Sequence, residues 1–145
     1  MKKLALTVML ISPPVFAAYH PTAPESAALK FNEWYMTQLI ADTSPLDSVD
    51  RLQPYVTADT FNALKTLYSG DSNGKDMPDA DPFIKAQDVG RDWNQLNVLM
   101  SDADPVCTNI YIAFGKMQKH VVADCMIEEA GEWKVRSATL ISALP

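Results

Sequence analysis

The stretch VCTNIYIAFGKMQKHVVADCMI, Val106 to Ile127, decides how this chain folds. It carries both cysteines, Cys107 and Cys125, at mirrored places around a turn. From Leu96 onward the pattern changes period from 3.6 to 2, which argues for strands. A hairpin centred on Lys116 would set Cys107 opposite Cys125, Asn109 opposite Ala123 and Tyr111 opposite Val121. Opposed residues of a non-hydrogen-bonded pair approach closely enough for a disulfide. A redox-active pair would want a Cys-x-x-Cys spacing or a nearby activating base. A zinc site would want further ligands at short spacing, which the chain does not offer. The pair therefore reads as a structural staple, Cys107–Cys125, formed in an oxidising compartment.

The same period extends in both directions. Strands are expected near 96–101, 106–114, 119–128 and 132–142, with a turn at Ala130-Gly131. That turn would set Val135 beside Cys125 and Trp133 beside Ile127 on the core face. On the other face Asp124 would meet Arg136 as an exposed cross-strand pair, an interaction typically worth less than about 1 kcal/mol.

Ahead of the strands the period is 3.6. Thr22-Ala-Pro-Glu25 has the form of a capping box with proline in the first turn. Ala28, Phe31, Tyr35 and Leu39 then recur at helical spacing, with Leu29, Trp34, Met36 and Ile40 widening the stripe. Ser44-Pro45 starts a short helix with Leu46, Val49 and Leu52 on one side, and Pro54 stops it. Thr57 caps a third, with Phe61, Leu64, Leu67 and Tyr68 as its stripe and Gly70 at its end. Residues 71–93 are rich in turn formers and read as an ordered excursion anchored by Phe83, Ile84 and Trp93. The fold class is α+β: N-terminal helices packed on a curved antiparallel meander of about four strands.

The first residues, MKKLALTVMLISPPVFA, have the parts of a secretory signal: Lys2 and Lys3, a short apolar core, then Val15-Phe16-Ala17 before a cleavage site. The apolar run is far short of the roughly 20 residues that span a bilayer. The expected organisation is a signal peptide, 1–17, and a single periplasmic domain, 18–145, with no stable membrane anchor. Removing two lysines and no acid takes the formal charge from −6 to −8. That charge disfavours nucleic acid and favours a basic protein partner.

Chemistry is hard to find. Two histidines, no free cysteine, and no nucleophile elbow, metalloprotease motif or phosphate loop argue against an enzyme. His120 reads as a surface or edge residue. An EF-hand frame beginning at Asp71 fails, because Lys75 and Pro82 fall on ligand positions. No cofactor is expected. An amino terminus at Ala18-Tyr19-His20 would present an amine, two amides and an imidazole, a set suited to square-planar copper(II) or nickel(II).

Four stretches, ALKFNEWYM, LQPYV, DADPFIKAQD and GEWKV, together resemble a family of small exported enterobacterial proteins, the YqhG/YbjP-like group. The resemblance runs from about Ala28 to Val135. It implies a cone-shaped, cystatin-like or nuclear-transport-factor-like α+β domain and no catalytic residues. Relatives of such proteins that look like immunity factors protect the producing cell from toxins delivered into the periplasm. The leading expectation is thus a non-enzymatic binding module, an immunity protein neutralising a secreted toxin that targets the cell wall. Its contacts are expected from the acidic excursion (Asp71, Asp76, Asp79, Asp81) and the Asp102-Ala-Asp104 loop. A small-molecule binder is the alternative, with Phe31, Trp34, Tyr35, Tyr111 and Trp133 lining an apolar pocket between helix and sheet. A protein binding an envelope component is a third.

Overall fold

In a computed structural model, residues 20–68, 70, 77–142 and 144 are described. Helix α1 runs from Ala23 to Ile40, with Glu25 Oε2 accepting from the Thr22 amide at 2.7 Å to close its first turn. Its inward stripe is Ala28, Phe31, Asn32, Tyr35 and Met36. Ile40, expected to widen that stripe, is instead half exposed. The Pro45–Leu52 segment is a 3-10 helix, begun by Ser44 Oγ accepting from the Leu46 amide and kinked at Ser48. Helix α2, Ala58–Tyr68, starts under Thr57. It buries Leu64, while Phe61 and Tyr68 pack partly against the core.

Four antiparallel strands follow in sequential order: β1 (Leu96–Ala103), β2 (Thr108–Phe114), β3 (His120–Glu129) and β4 (Glu132–Leu140). Helix α1 packs on one face of this sheet. The core there joins Phe31, Tyr35 and Met36 to Ile110, Ile112, Phe114, Val122, Met126 and Val135. The opposite face carries a smaller cluster of Tyr111, Ala113, Val121 and Ala123.

The register departs from the sequence expectation. The β2–β3 loop has five residues, Gly115 to Lys119, so the hairpin centres on Met117 and pairs Asn109 with Cys125 and Tyr111 with Ala123. The shift is two residues, which keeps every side chain on its face. Cys107 and Cys125 are accordingly diagonal neighbours, and they form the disulfide across a Cα–Cα distance of 5.5 Å.

The β3–β4 register has a larger consequence. Its two-residue turn holds Ala130 at φ 51° and Gly131 at φ 80°, a pair of left-handed residues whose twist suits a tight hairpin. Glu129 then faces Glu132, Glu128 faces Trp133 and Met126 faces Val135; Arg136 is extruded as a bulge, so Cys125 pairs with Ser137. The even residues of β3 therefore face α1, and Cys125 and Ile127 lie on the other side. Asp124 is fully buried rather than exposed, and it bonds to Asn32 instead of pairing with Arg136.

Two further contacts complete the frame. Residues 55–57 add to β4 in parallel: the Val135 amide donates to the Tyr55 carbonyl and the Thr57 amide to the Val135 carbonyl. The excursion closes the β2–β3 end, with Phe83 and Ile84 buried. The indole of Trp93 lies where a side chain on Gly90 would have to be, so only glycine fits there.

Because the disulfide closes a separation of 18 residues, its loss should cost about 3 kcal/mol through the entropy of the unfolded chain. Urea unfolding with and without a reductant would measure this. An unchanged midpoint would show that the sheet holds this end unaided.

Candidate functional site

In a meander, alternate turns lie at the same end of the sheet, so the β1–β2 and β3–β4 turns of this protein are neighbours. The first is built around Asp104. Its Oδ1 accepts from the Val106 and Cys107 amides at 2.7 and 3.0 Å, and its Oδ2 from Asn109 Nδ2 at 2.8 Å. The amide of Cys107, then that of Val106 and the Asn109 side chain, hold the carboxyl below the usual carboxylate range. Val106 projects from the tip, 60% exposed, beside the disulfide that anchors the loop to β3. Asp102 is exposed and faces Asn109 across the strands.

The second turn presents Glu128 and Glu132 to solvent, while Glu129 Oε2 accepts from the Ala58 amide at the start of α2. Lys134, 3.5 Å from Glu132, is a nearby cation. This end thus gathers Asp102, Asp104, Glu128, Glu129 and Glu132. The opposite end carries Lys116 and Lys119, both exposed, in the β2–β3 turn. That end is mixed in charge, since Asp92 Oδ2 accepts from the Lys116 amide at 2.9 Å, and the acidic pole is the β1–β2 and β3–β4 end alone.

An aromatic cleft of about 370 Å³ adjoins the acidic pole, lined by Ala27, Lys30, Pro54, Tyr55, Glu132 and Trp133. Tyr55 stacks on Trp34 at 4.3 Å with ring planes 18° apart, and the Arg51 guanidinium lies 5.7 Å from the centre of the Trp34 ring. Gln38 accepts a hydrogen bond from Arg51, fixing that stack from behind. Partly exposed Trp, Tyr and Arg held rigid in this way are the residue types that most often dominate protein interfaces.

The residues singled out from the sequence separate into different environments. Asp79 is exposed. Asp81 is not a surface contact, because its carboxylate is used internally. Its Oδ1 accepts from the Phe83 and Ile84 amides and its Oδ2 from the Tyr35 hydroxyl, at 2.8, 3.0 and 2.7 Å. Burial, then the Asp81 carboxylate, raises the Tyr35 phenol above its ordinary range, so it stays a hydrogen-bond donor. Asp71 and Asp76 lie outside the described residues, as do the signal segment 1–17 and Ala18 and Tyr19 of the amino-terminal metal set. His20 is exposed.

The five aromatics do not line one cavity. Phe31 and Tyr35 fill the core around Phe83, with ring centres 5.1 and 5.3 Å from it. Tyr111 lies on the far face of the sheet, and Trp34 and Trp133 flank the surface cleft. His120 is neither at an edge nor free: its ring stacks on Trp93 at 4.3 Å and its Nε2 donates to the Ile84 carbonyl at 2.6 Å.

Among the described residues no group of three or more His, Cys, Asp or Glu could hold a metal, and no helix is long and apolar enough to cross a membrane. Glu128, Glu129 and Glu132 are not among the residues singled out from the sequence; the signal missed was that alternate meander turns share an end.

No protein-family model and no curated protein matches the chain. Two solved structures do resemble it, both of the type VI effector–immunity complex Tae3–Tai3 from Ralstonia pickettii, and in both the similar chain is the immunity protein Tai3. The selenomethionine form is 27% identical with a TM-score of 0.63, covering 84% of this chain and 99% of that chain. The native form is 23% identical with a TM-score of 0.66, covering 85% and 98%.

The internal use of Asp81 has a measurable consequence. Asp81→Ala leaves buried donors unsatisfied and should cost about 2 kcal/mol. Asp79→Ala, two residues away, should change stability by less than about 0.5 kcal/mol. Equal effects in chemical denaturation would contradict the assignment.

Proposed function

We propose that this protein is a non-enzymatic immunity protein that binds and neutralises a secreted toxin. The likeness to Tai3 carries this reading: 27% identity over nearly the whole of that chain and most of this one. The physical features agree with it. A disulfide-pinned scaffold with protruding turns is rigid enough to bind without a large ordering cost. Two side chains that could act as bases, Asp81 and His120, are held in structural hydrogen bonds.

The protein works in the periplasm, where its disulfide forms and where a toxin directed at the cell wall would have to be stopped. The partner is basic, as suits an enzyme acting on an anionic polymer. The acidic pole, Asp102, Asp104, Glu128 and Glu132, steers it, and the Trp34–Tyr55–Trp133 cleft supplies the desolvated contact that holds it. The division is physical: exposed charges act mainly on the encounter rate, while buried aromatic contacts act mainly on dissociation.

Two experiments test these statements. Exporting the host's secreted effector into the periplasm should arrest growth, and co-export of this chain should restore it; undiminished toxicity would refute the immunity reading. With the purified pair, Asp102→Lys combined with Glu132→Lys should slow association about 10-fold at low salt and less at high salt. Trp133→Ala should instead speed dissociation. If neither substitution alters either rate, the interface lies elsewhere on the molecule.

A further inference from the structure

Asp124 lies mid-strand in β3, between Ile110 of β2 and Ala138 of β4, with none of its surface exposed. Its Oδ2 accepts from Asn32 Nδ2 of α1 at 2.5 Å. The same Nδ2 donates to the Ala28 carbonyl at 2.9 Å, so two acceptors fix which way the amide points. Two buried oxygens then have no hydrogen-bond partner among the described residues: Asn32 Oδ1 and Asp124 Oδ1. An ionised carboxylate and an amide oxygen are both pure acceptors, so neither can satisfy the other.

Nor does a cation neutralise the site. No Lys, Arg or His is among the buried residues described. From α1 the buried titratable groups are Glu25 and Tyr35, one acidic and the other donating to Asp81. From β2 and β4 the cross-strand neighbours of Asp124 are the uncharged Ile110 and Ala138. A buried, unpaired carboxylate is strongly disfavoured in such surroundings. A carboxylic acid is not, because an acid and a primary amide can exchange two hydrogen bonds, N–H to carboxyl oxygen and O–H to amide oxygen.

We infer that Asp124 is a neutral carboxylic acid in the folded protein, donating from Oδ1 to Asn32 Oδ1, and that this proton latches α1 to the sheet. One proton taken from solvent satisfies both orphaned oxygens at once. Burial pushes the carboxyl up to about 7, against a smaller opposing effect of the Asn32 hydrogen bond. An unfolded aspartate titrates near about 4. Between those limits the folded state holds a proton that the unfolded state has released, so stability falls as pH rises through this window. Below it the stabilisation is complete, and above it the stabilisation is gone. Since α1 also supplies Ala27, Lys30 and Trp34 to the cleft and its wall, the latch ties the shape of that surface to proton binding.

The test uses the full-length mature protein with 13C-labelled aspartate, together with urea unfolding of wild type and Asp124→Asn between pH 4.5 and 8.5. The Asp124 Cγ resonance should titrate with a midpoint near 7. The wild type should lose stability relative to Asp124→Asn as pH rises from 4.5 to 7.5. By pH 8 the variant should be at least as stable, because its amide supplies the same donor to Asn32 Oδ1. A Cγ resonance at the ionised position from pH 5 to 8 would overturn the inference, whether or not the variant folds. So would a difference in stability between the two proteins that does not change with pH.

Discussion

Alternate residues of β3 leave the strand on opposite faces, and which set meets α1 governs the rest of the molecule. With Val122, Asp124 and Met126 turned inward, the core closes around Phe31, Tyr35 and Met36. With Cys125 turned outward, it can reach Cys107 diagonally across β2. A slip of one residue would expose the first set and carry Cys125 away from its partner. Two devices prevent that slip: the left-handed Ala130–Gly131 turn on one side and the disulfide on the other. Neither belongs to the cluster around α1, yet both determine what that cluster contains.

That parity also marks where sequence reading succeeded and where it stopped. Helix α1, the order of elements and the existence of the disulfide followed from periodicity and cysteine placement, because those signals are local. The fate of Asp124 did not. An aspartate in a strand reads as solvent-facing by composition, and a β3–β4 register misplaced by one residue supports the same reading. Only Asn32, 92 positions away, makes the buried site tolerable, and no local pattern announces that pairing. Asp81 misled for a related reason: in an acidic, turn-rich stretch it looks like surface charge, whereas the backbone amides of Phe83 and Ile84 and the Tyr35 hydroxyl take it inward. Conversely, the acidic pole was legible in part through Asp102 and Asp104. Its other half, in the β3–β4 turn, becomes visible only once the meander is folded.

The distribution of chemistry follows the topology. Turns at one end of the sheet collect carboxylates, whereas the other end mixes the lysines of the β2–β3 turn with Asp92 of the excursion. A positively charged partner would be oriented by the acidic end before contact, which favours productive encounters over random ones. The aromatic cleft lies beside the acidic end, where α1, the chain after the 3-10 helix and β4 converge. Steering charge and adhesive surface are therefore presented side by side.

The short parallel addition of residues 55–57 to β4 bears on how this protein can associate with others. A sheet ends in two rows of backbone amides and carbonyls, each a template on which a foreign strand can form. At β4 that template is occupied where the Tyr55 carbonyl and Thr57 amide bond to Val135. At the other edge the irregularity between Val98 and Met100 interrupts the regular ladder of β1, and such bulges twist a strand away from straight pairing. Lateral growth of the sheet into a shared ladder is thereby obstructed on both sides. The fold gains resistance to runaway self-association from this, and its specific contacts are left to side chains rather than to an open backbone.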